Sequence, residues 1–318
     1  MATVATTAAQ QRAIDANVLL RKQRSLWGDA LYRLFRNKAA MVGIAIIILA
    51  GILAIFAPLI APYDPTLQNT KLNNMDPVFA GTPYTNPHYF LGSDELGRDI
   101  LSRLIWSARV SMVVGFVPTA LIFVIGASLG MLAGFYGGWV DNLLMRFTDI
   151  VYAFPDLLFL IIIMAALRNT GIGEVLGGLL LIFVALAVIS WVGLARLIRG
   201  QVLSLKEKEF VEAARAIGVP TRRIMFRHLF PNALAPVIVT LAFAVPGAML
   251  AEATLSFLGI GIKPPTPTWG VMINEGFTVF SQSPWPVMLP AACISVVMLA
   301  FTFLGDGLRD ALDPRMKI

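Results

Sequence analysis

Six runs of about 20 apolar residues, at 39–61, 107–134, 142–167, 173–195, 233–255 and 286–305, dominate what this chain can become. Roughly 20 apolar residues wound as helix cross the hydrocarbon of a bilayer. Inside lipid, every backbone N–H and C=O has to find its partner within the protein, and a helix does this within one segment. The runs therefore predict an all-α integral membrane protein with six transmembrane helices. An apolar content of 57%, a charged content of 14% and a mean hydropathy of +0.75 point the same way. The first run is too long for a signal-peptide core and follows a tail of nearly forty residues, so it reads as a retained span.

Orientation follows from where Lys and Arg fall. The segment before the first run carries Arg12, Arg21, Lys22, Arg24, Arg33, Arg36 and Lys38. The 196–227 stretch adds Arg196, Arg199, Lys206, Lys208, Arg215, Arg222, Arg223 and Arg227, and the end adds Arg309, Arg315 and Lys317. These are 18 of the 25 basic residues, which predicts that both termini and the large loop are cytoplasmic. The net charge of +6 is thereby a topology signal, and outside the 206–231 loop no clustered aromatic and basic surface argues for nucleic acid. Cys293 is the sole cysteine, so an intrachain disulfide is impossible and a metal cluster has no support.

Between the runs the organisation is simple. Residues 1–24 read as a polar tail, and 25–38 as an interfacial helix with Trp27, Leu31, Leu34 and Phe35 on one side. Five prolines between 62 and 92 preclude long helix or central strand there. Ser93-Asp94-Glu95 reads as the N-terminus of the next helix. Gly126, Gly130 and Gly134 form a small-residue face suited to close helix packing in lipid. Pro118, Pro155 and Pro246 predict bends within spans.

Ionisable groups at mid-span cost roughly 2.5–3.5 kcal/mol on insertion scales, so they face protein or water. Asp149 follows Arg146 by three residues and is expected to pair with it. Asp156 has no local basic partner and Glu252 sits toward the external end of the fifth span, and both are candidates for the lining of a solute pathway.

The 206–231 loop is unlike the rest of the chain. Phe210, Ala213, Ala214 and Ile217 recur at i, i+3, i+4 and i+7, one stripe of a helix, with Glu207, Lys208, Glu212 and Arg215 off it. Gly218-Val219-Pro220 ends that helix. A second short helix, Thr221 to Phe230, carries Ile224, Met225, Phe226 and Leu229 against three arginines, and Pro231 is expected to close it. Glu212-Ala213-Ala214 with Gly218 and Pro231 resembles the EAA loop of permease subunits in ATP-binding-cassette (ABC) importers. Further matches are Leu91–Asp99, Phe257-Leu258-Gly259, Pro264–Gly270 and Gly305–Pro314, which resemble the dipeptide/oligopeptide branch. Residues 25–75 resemble the N-terminal extension of that branch's C-type subunit; the one departure is Phe230, where the family often has Leu.

This resemblance implies the type I ABC importer (MetI-like) permease fold, in which Phe210, Glu212, Ala213, Ala214, Ile217, Gly218 and Pro231 form the contact with an ATPase subunit. It implies a division into a cytoplasmic tail and interfacial helix (1–38), a first span (39–61), an external loop (62–106), a core (107–306) with the coupling loop at 196–232, and a cytoplasmic tail (307–318). The implied partners are a homologous second permease, two ABC ATPase subunits that bind ATP and Mg, an external substrate-binding protein, membrane lipid and a peptide cargo moved by alternating access, with glutathione or a nickel chelate as the alternative solute, all at the bacterial cytoplasmic (inner) membrane. The chain has no G-x-x-x-x-G-K-[ST] phosphate loop and so does not bind ATP by that route; no cofactor and no catalytic residue are expected in it. An ion-driven transporter would usually carry an internal repeat, and none is visible. A hydrolase would need a nucleophile with its base, and His88 and His228 fall in different compartments.

Overall fold

In a computed structural model that describes residues 26–313, the helices are α1 (Leu26–Arg36), α2 (Lys38–Ile55), α3 (Ile100–Tyr136), α4 (Gly138–Tyr152), α5 (Asp156–Leu167), α6 (Leu179–Leu205), α7 (Glu209–Ala216), α8 (Phe230–Phe257), α9 (Trp269–Phe277) and α10 (Trp285–Leu312). The tail 1–24 lies outside the described residues, as do Arg315 and Lys317. Extended pairing among the described residues is confined to two isolated bridges, Asp76 with Thr85 and Ser93 with Asp99. Five helices are long and apolar enough to span a bilayer, and the bent pair α4–α5 makes a sixth crossing if counted as one.

The helices outrun their apolar stretches because backbone hydrogen bonding does not stop where hydropathy does. At 1.5 Å per residue, the 27 residues of α6 reach about 40 Å, beyond the roughly 30 Å of hydrocarbon. Two spans are interrupted instead. The first ends at Ile55, because Pro58 cannot donate to the helical ladder and its ring collides with the preceding turn. The third breaks by 78° between Tyr152 and Asp156, with Pro155 as the cap of α5. The helix continues unbroken through Pro118 and Pro246.

The bundle is built on α3 and α6. Gly126, Gly130 and Gly134 lie directly against the backbone of α6: a Cβ on Gly130 would sit 2.5 Å from the Ala195 carbonyl oxygen, and one on Gly134 2.9 Å from that of Arg199. α8 covers the next face of α3, with Gly115 under Val245 and Met249. α2 meets α10 in the same manner, through Gly43 on Ala300 and Gly307 on Ala40. The interfacial helix α1 is docked rather than free. Ala30 and Leu34 pack with Ala40 and Ala311, while Leu31 and Phe35 face outward.

Gly130→Ala is expected to destabilise the bundle by about 1–3 kcal/mol, since the methyl has only backbone to meet. Gly51→Ala, at a site with open space around it, is expected to be neutral or slightly stabilising. Thermal unfolding of the two variants in detergent checks the contrast.

Candidate functional site

The 206–231 loop is mounted between two of the longest helices. α6 carries it past the membrane core, Lys206 to Lys208 turn the chain, and α7 follows. Val211 and Ala214 of α7 are buried against a cluster that includes Ala195, Ile198, Val202 and Leu229. Full burial of a valine such as Val211 contributes roughly 1.5–3 kcal/mol toward holding α7 on the bundle. The stripe expected from sequence is divided by this packing. Ala214 turns inward with Val211, and Phe210 (41% exposed), Ala213 and Ile217 (80% exposed) stay open alongside Glu212.

Gly218 has φ +76° and no neighbour where a side chain would go, so the left-handed turn alone demands glycine there. Val219 N–H donates to the Ala214 carbonyl (3.0 Å) and Gly218 N–H to that of Arg215 (2.9 Å), the two bonds of a Schellman cap. Val219 then packs on the cluster that holds Ala214.

Beyond Pro220 the structure differs from the expected separate helix closed by Pro231. Thr221–Arg223 runs through a π-helical stretch, Ile224–Leu229, directly into α8, with Pro231 in its first turn. The wider turn, in which Phe230 N–H reaches Met225 O, makes room for the proline ring where an ordinary helix would clash. The second half of the loop, from Thr221, is therefore a helical extension of the α8 span.

Ion pairs brace the same end. Asp141 accepts two hydrogen bonds from Arg199 (2.5 and 2.6 Å), tying α4 to α6. Asp149 pairs with Arg196 at 2.8 Å, and the same guanidinium lies over the Tyr152 ring. The expected pairing of Asp149 with Arg146 is thus replaced by one across helices. Arg146, one turn earlier on α4, is exposed and has no ion-pair partner among the described residues.

The opposite end holds charges whose arrangement sequence reading missed. Asp94 Oδ2 accepts from Arg98 Nε (2.7 Å) and Arg103 Nη1 (2.5 Å), and Glu275 Oε2 accepts from Arg98 Nη2 (2.8 Å) and Arg103 Nη2 (2.7 Å). Both arginines are almost wholly buried. Asp94 is therefore not at a helix N-terminus. Gly97, at φ +70° and pressed on Asn69, turns the chain, and Asp99 caps α3 through Ser102 N–H at 2.7 Å. Burial pushes the Asp99 carboxyl up, against the hydrogen bonds from Ser102 that pull it down. The Asp94, Arg98 and Arg103 spacing was a visible signal. Glu275 was not, since it arrives from α9.

The two pathway candidates sit differently. Asp156 opens α5 at the 78° break and is exposed, with no ion-pair partner among the described residues. Glu252 is 1% exposed and accepts a hydrogen bond from Ser256 Oγ at 2.7 Å, beneath Gly261 and Gly270, which both press on Ser256.

Asp94→Asn is expected to cost about 3–5 kcal/mol, because it leaves Arg98 and Arg103 buried beside half their counter-charge. Protease sensitivity of the 62–99 segment, read with the unfolding temperature, checks this.

Comparison with known proteins gives the arrangement its setting. Residues 126–318 match the model of the binding-protein-dependent transport system inner membrane component, and residues 25–77 match the N-terminal TM domain of oligopeptide transport permease C. The oligopeptide transport system permease protein OppC of Bacillus subtilis (strain 168) is 41% identical over 95% of this chain and 94% of its own length. The dipeptide transport system permease protein DppC of the same organism is 39% identical over 97% and 92%. The glutathione transport system permease protein GsiD of Escherichia coli O6:K15:H31 (strain 536 / UPEC) is 38% identical over 97% of both. Among solved structures, a chain of the inward-facing MetNI methionine ABC transporter superposes with a TM-score of 0.51 at 18% identity, over 66% of this chain and 96% of that one, a likeness of fold. With a family match over more than half its length and relatives near 40% identity along almost all of it, this chain belongs to the binding-protein-dependent transport system inner membrane components, the multi-pass permeases of ABC importers.

Proposed function

We propose that this chain is one of two permease subunits in an importer that moves di- or oligopeptides across the bacterial cytoplasmic membrane by alternating access. The observation that carries the proposal is the open Phe210–Ala213–Ile217 face, beside Glu212 and the Gly218 turn, on a loop continuous with α8. An apolar face left bare outside the membrane core needs a cover. In this reading the cover is an ABC ATPase subunit, which binds ATP and Mg and carries out the hydrolysis, so this chain is not itself an enzyme. Pro231 passes the motion into α8. Both termini and the loop then lie in the cytoplasm, the 62–106 segment faces the substrate-binding protein, and residues 107–306 form the core, with tails at 1–38 and 307–318 flanking it and the first span.

Docking drives transport only to the extent that it differs in free energy between inward- and outward-facing states. A loop rigid with one span meets that condition, because tilting α8 tilts the docked surface. Within the pathway, Asp156 is assigned to attract the ammonium group of a peptide, and Glu252, held behind Ser256, is the second candidate. Peptide cargo is favoured by the names of the relatives at 41% and 39% identity. A glutathione-type cargo is the second reading, favoured by the relative at 38%.

Gly218→Leu is expected to insert normally while uptake per ATP hydrolysed falls about tenfold, as a left-handed leucine costs roughly 1–2 kcal/mol, and Glu212→Lys is expected to lower it as well by reversing the charge beside the open face. Uptake and hydrolysis measured together in proteoliposomes check this, and normal coupling in both variants would refute the assignment. Asp156→Asn is expected to raise the KM for peptide at matched expression, and unchanged kinetics would remove Asp156 from the pathway.

A further inference from the structure

Next to the Gly218 turn the loop bears a second feature that the docking reading does not use. Pro220, Arg222, Arg223, Phe226, Arg227 and Pro231 line an open hollow of about 720 Å³. No carboxylate lines it, and none of the three arginines has an ion-pair partner among the described residues. Phe226 is 61% exposed in their midst, though its neighbours Ile224, Met225 and Leu229 are buried. Elsewhere on the same side, arginines facing the bundle are matched: Arg199 has Asp141 and Arg196 has Asp149. Three guanidinium groups and an aromatic ring left unmatched on a rigid helical frame, between two prolines, form a prepared site for planar anions.

Carboxylates on a protein fit this site better than lipid phosphates do. Counting along the helix from the start of its apolar stretch at Ala233, Arg227 to Arg222 lie roughly 9–16 Å further out at 1.5 Å per residue. The headgroup layer on each side is only about 5–8 Å deep. The arginines thus project past the lipid surface, where a docked protein would be. Arginine forks bind carboxylates in bidentate fashion, and arginine with an exposed aromatic is the composition of strongly contributing interface residues.

We infer that the hollow around Phe226 receives an acidic segment of the ATPase subunit, with Arg222, Arg223 and Arg227 pairing to its Asp or Glu side chains and Phe226 entering an apolar notch between them. This rests on the proposed docking of the loop on an ATPase and specifies the chemistry of the partner surface. The Phe210–Ala213–Ile217 face supplies apolar burial, and the arginine hollow supplies charge. Charge complementarity of this kind sets the association rate and the choice of partner.

The test uses the assembled importer in lipid nanodiscs, with this chain tagged and retention of the ATPase subunits measured. Arg222→Glu, Arg223→Glu and Arg227→Glu combined should weaken retention by about 30-fold or more, and substitution of the facing partner acids by Lys should restore much of it. In the unmodified assembly, retention should fall steeply with rising salt, a readout that needs no variant to fold. Crosslinks from the Phe210→Cys variant to the ATPase report on docking separately. If they form while retention ignores both salt and charge reversal, the acidic-partner inference is wrong and docking stands. If charge reversal alters only the response to anionic lipid content, the hollow is a headgroup site and the inference fails equally. If no crosslink forms even in the unmodified importer, the docking reading itself falls.

Discussion

Backbone contact between α3 and α6 is the constraint from which the other placements follow. Between two helices in lipid there is no hydrophobic driving force, since the solvent is as apolar as the side chains, and stability comes from close packing. Gly126, Gly130 and Gly134 let the two backbones touch where any side chain would hold them apart. That seam fixes where α6 leaves the membrane core, and hence where the 206–231 loop is presented. It also aligns Arg196 and Arg199 with Asp149 and Asp141, so that α4 is clamped to the same pillar.

In the proposed function, stiffness is what would let the loop act as a lever. A flexible connection would absorb displacement as local backbone motion. Here α7 is sealed to the bundle through Val211 and Ala214, the Schellman bonds close the turn at Gly218, and the π-helical stretch carries the chain past Pro231 without a break. The same span carries Glu252 near its other end, so one continuous helix links the proposed docking surface to a candidate pathway position.

At the far end, the four-charge cluster is a different solution to a similar need. The 62–99 segment is rich in proline and has little regular structure to hold it. Asp94 and Glu275 each bridge both Arg98 and Arg103, tying that segment and α9 to the start of α3. Such a cluster contributes little net free energy compared with an apolar core of the same size, but losing one member is costly. Its value is in fixing one arrangement of parts that packing alone would leave loose.

Hydropathy, glycine spacing and the Glu212–Gly218–Pro231 pattern determined the membrane class, the number of apolar crossings, the α3 packing face and the family resemblance. Each of these is a local property: a span declares itself over 20 residues and a left-handed turn at one glycine. What tertiary structure alone decided is every pairing between distant segments. Asp149 chose Arg196 over Arg146 one turn before it, Glu275 met arginines more than 170 positions earlier, Ala214 turned inward while Ile217 stayed open, and an expected helix stop at Pro231 became the first turn of a span. Sequence spacing sets which side chains share a face, whereas the partner that face meets depends on how separate helices pack, and that is set by the whole bundle at once.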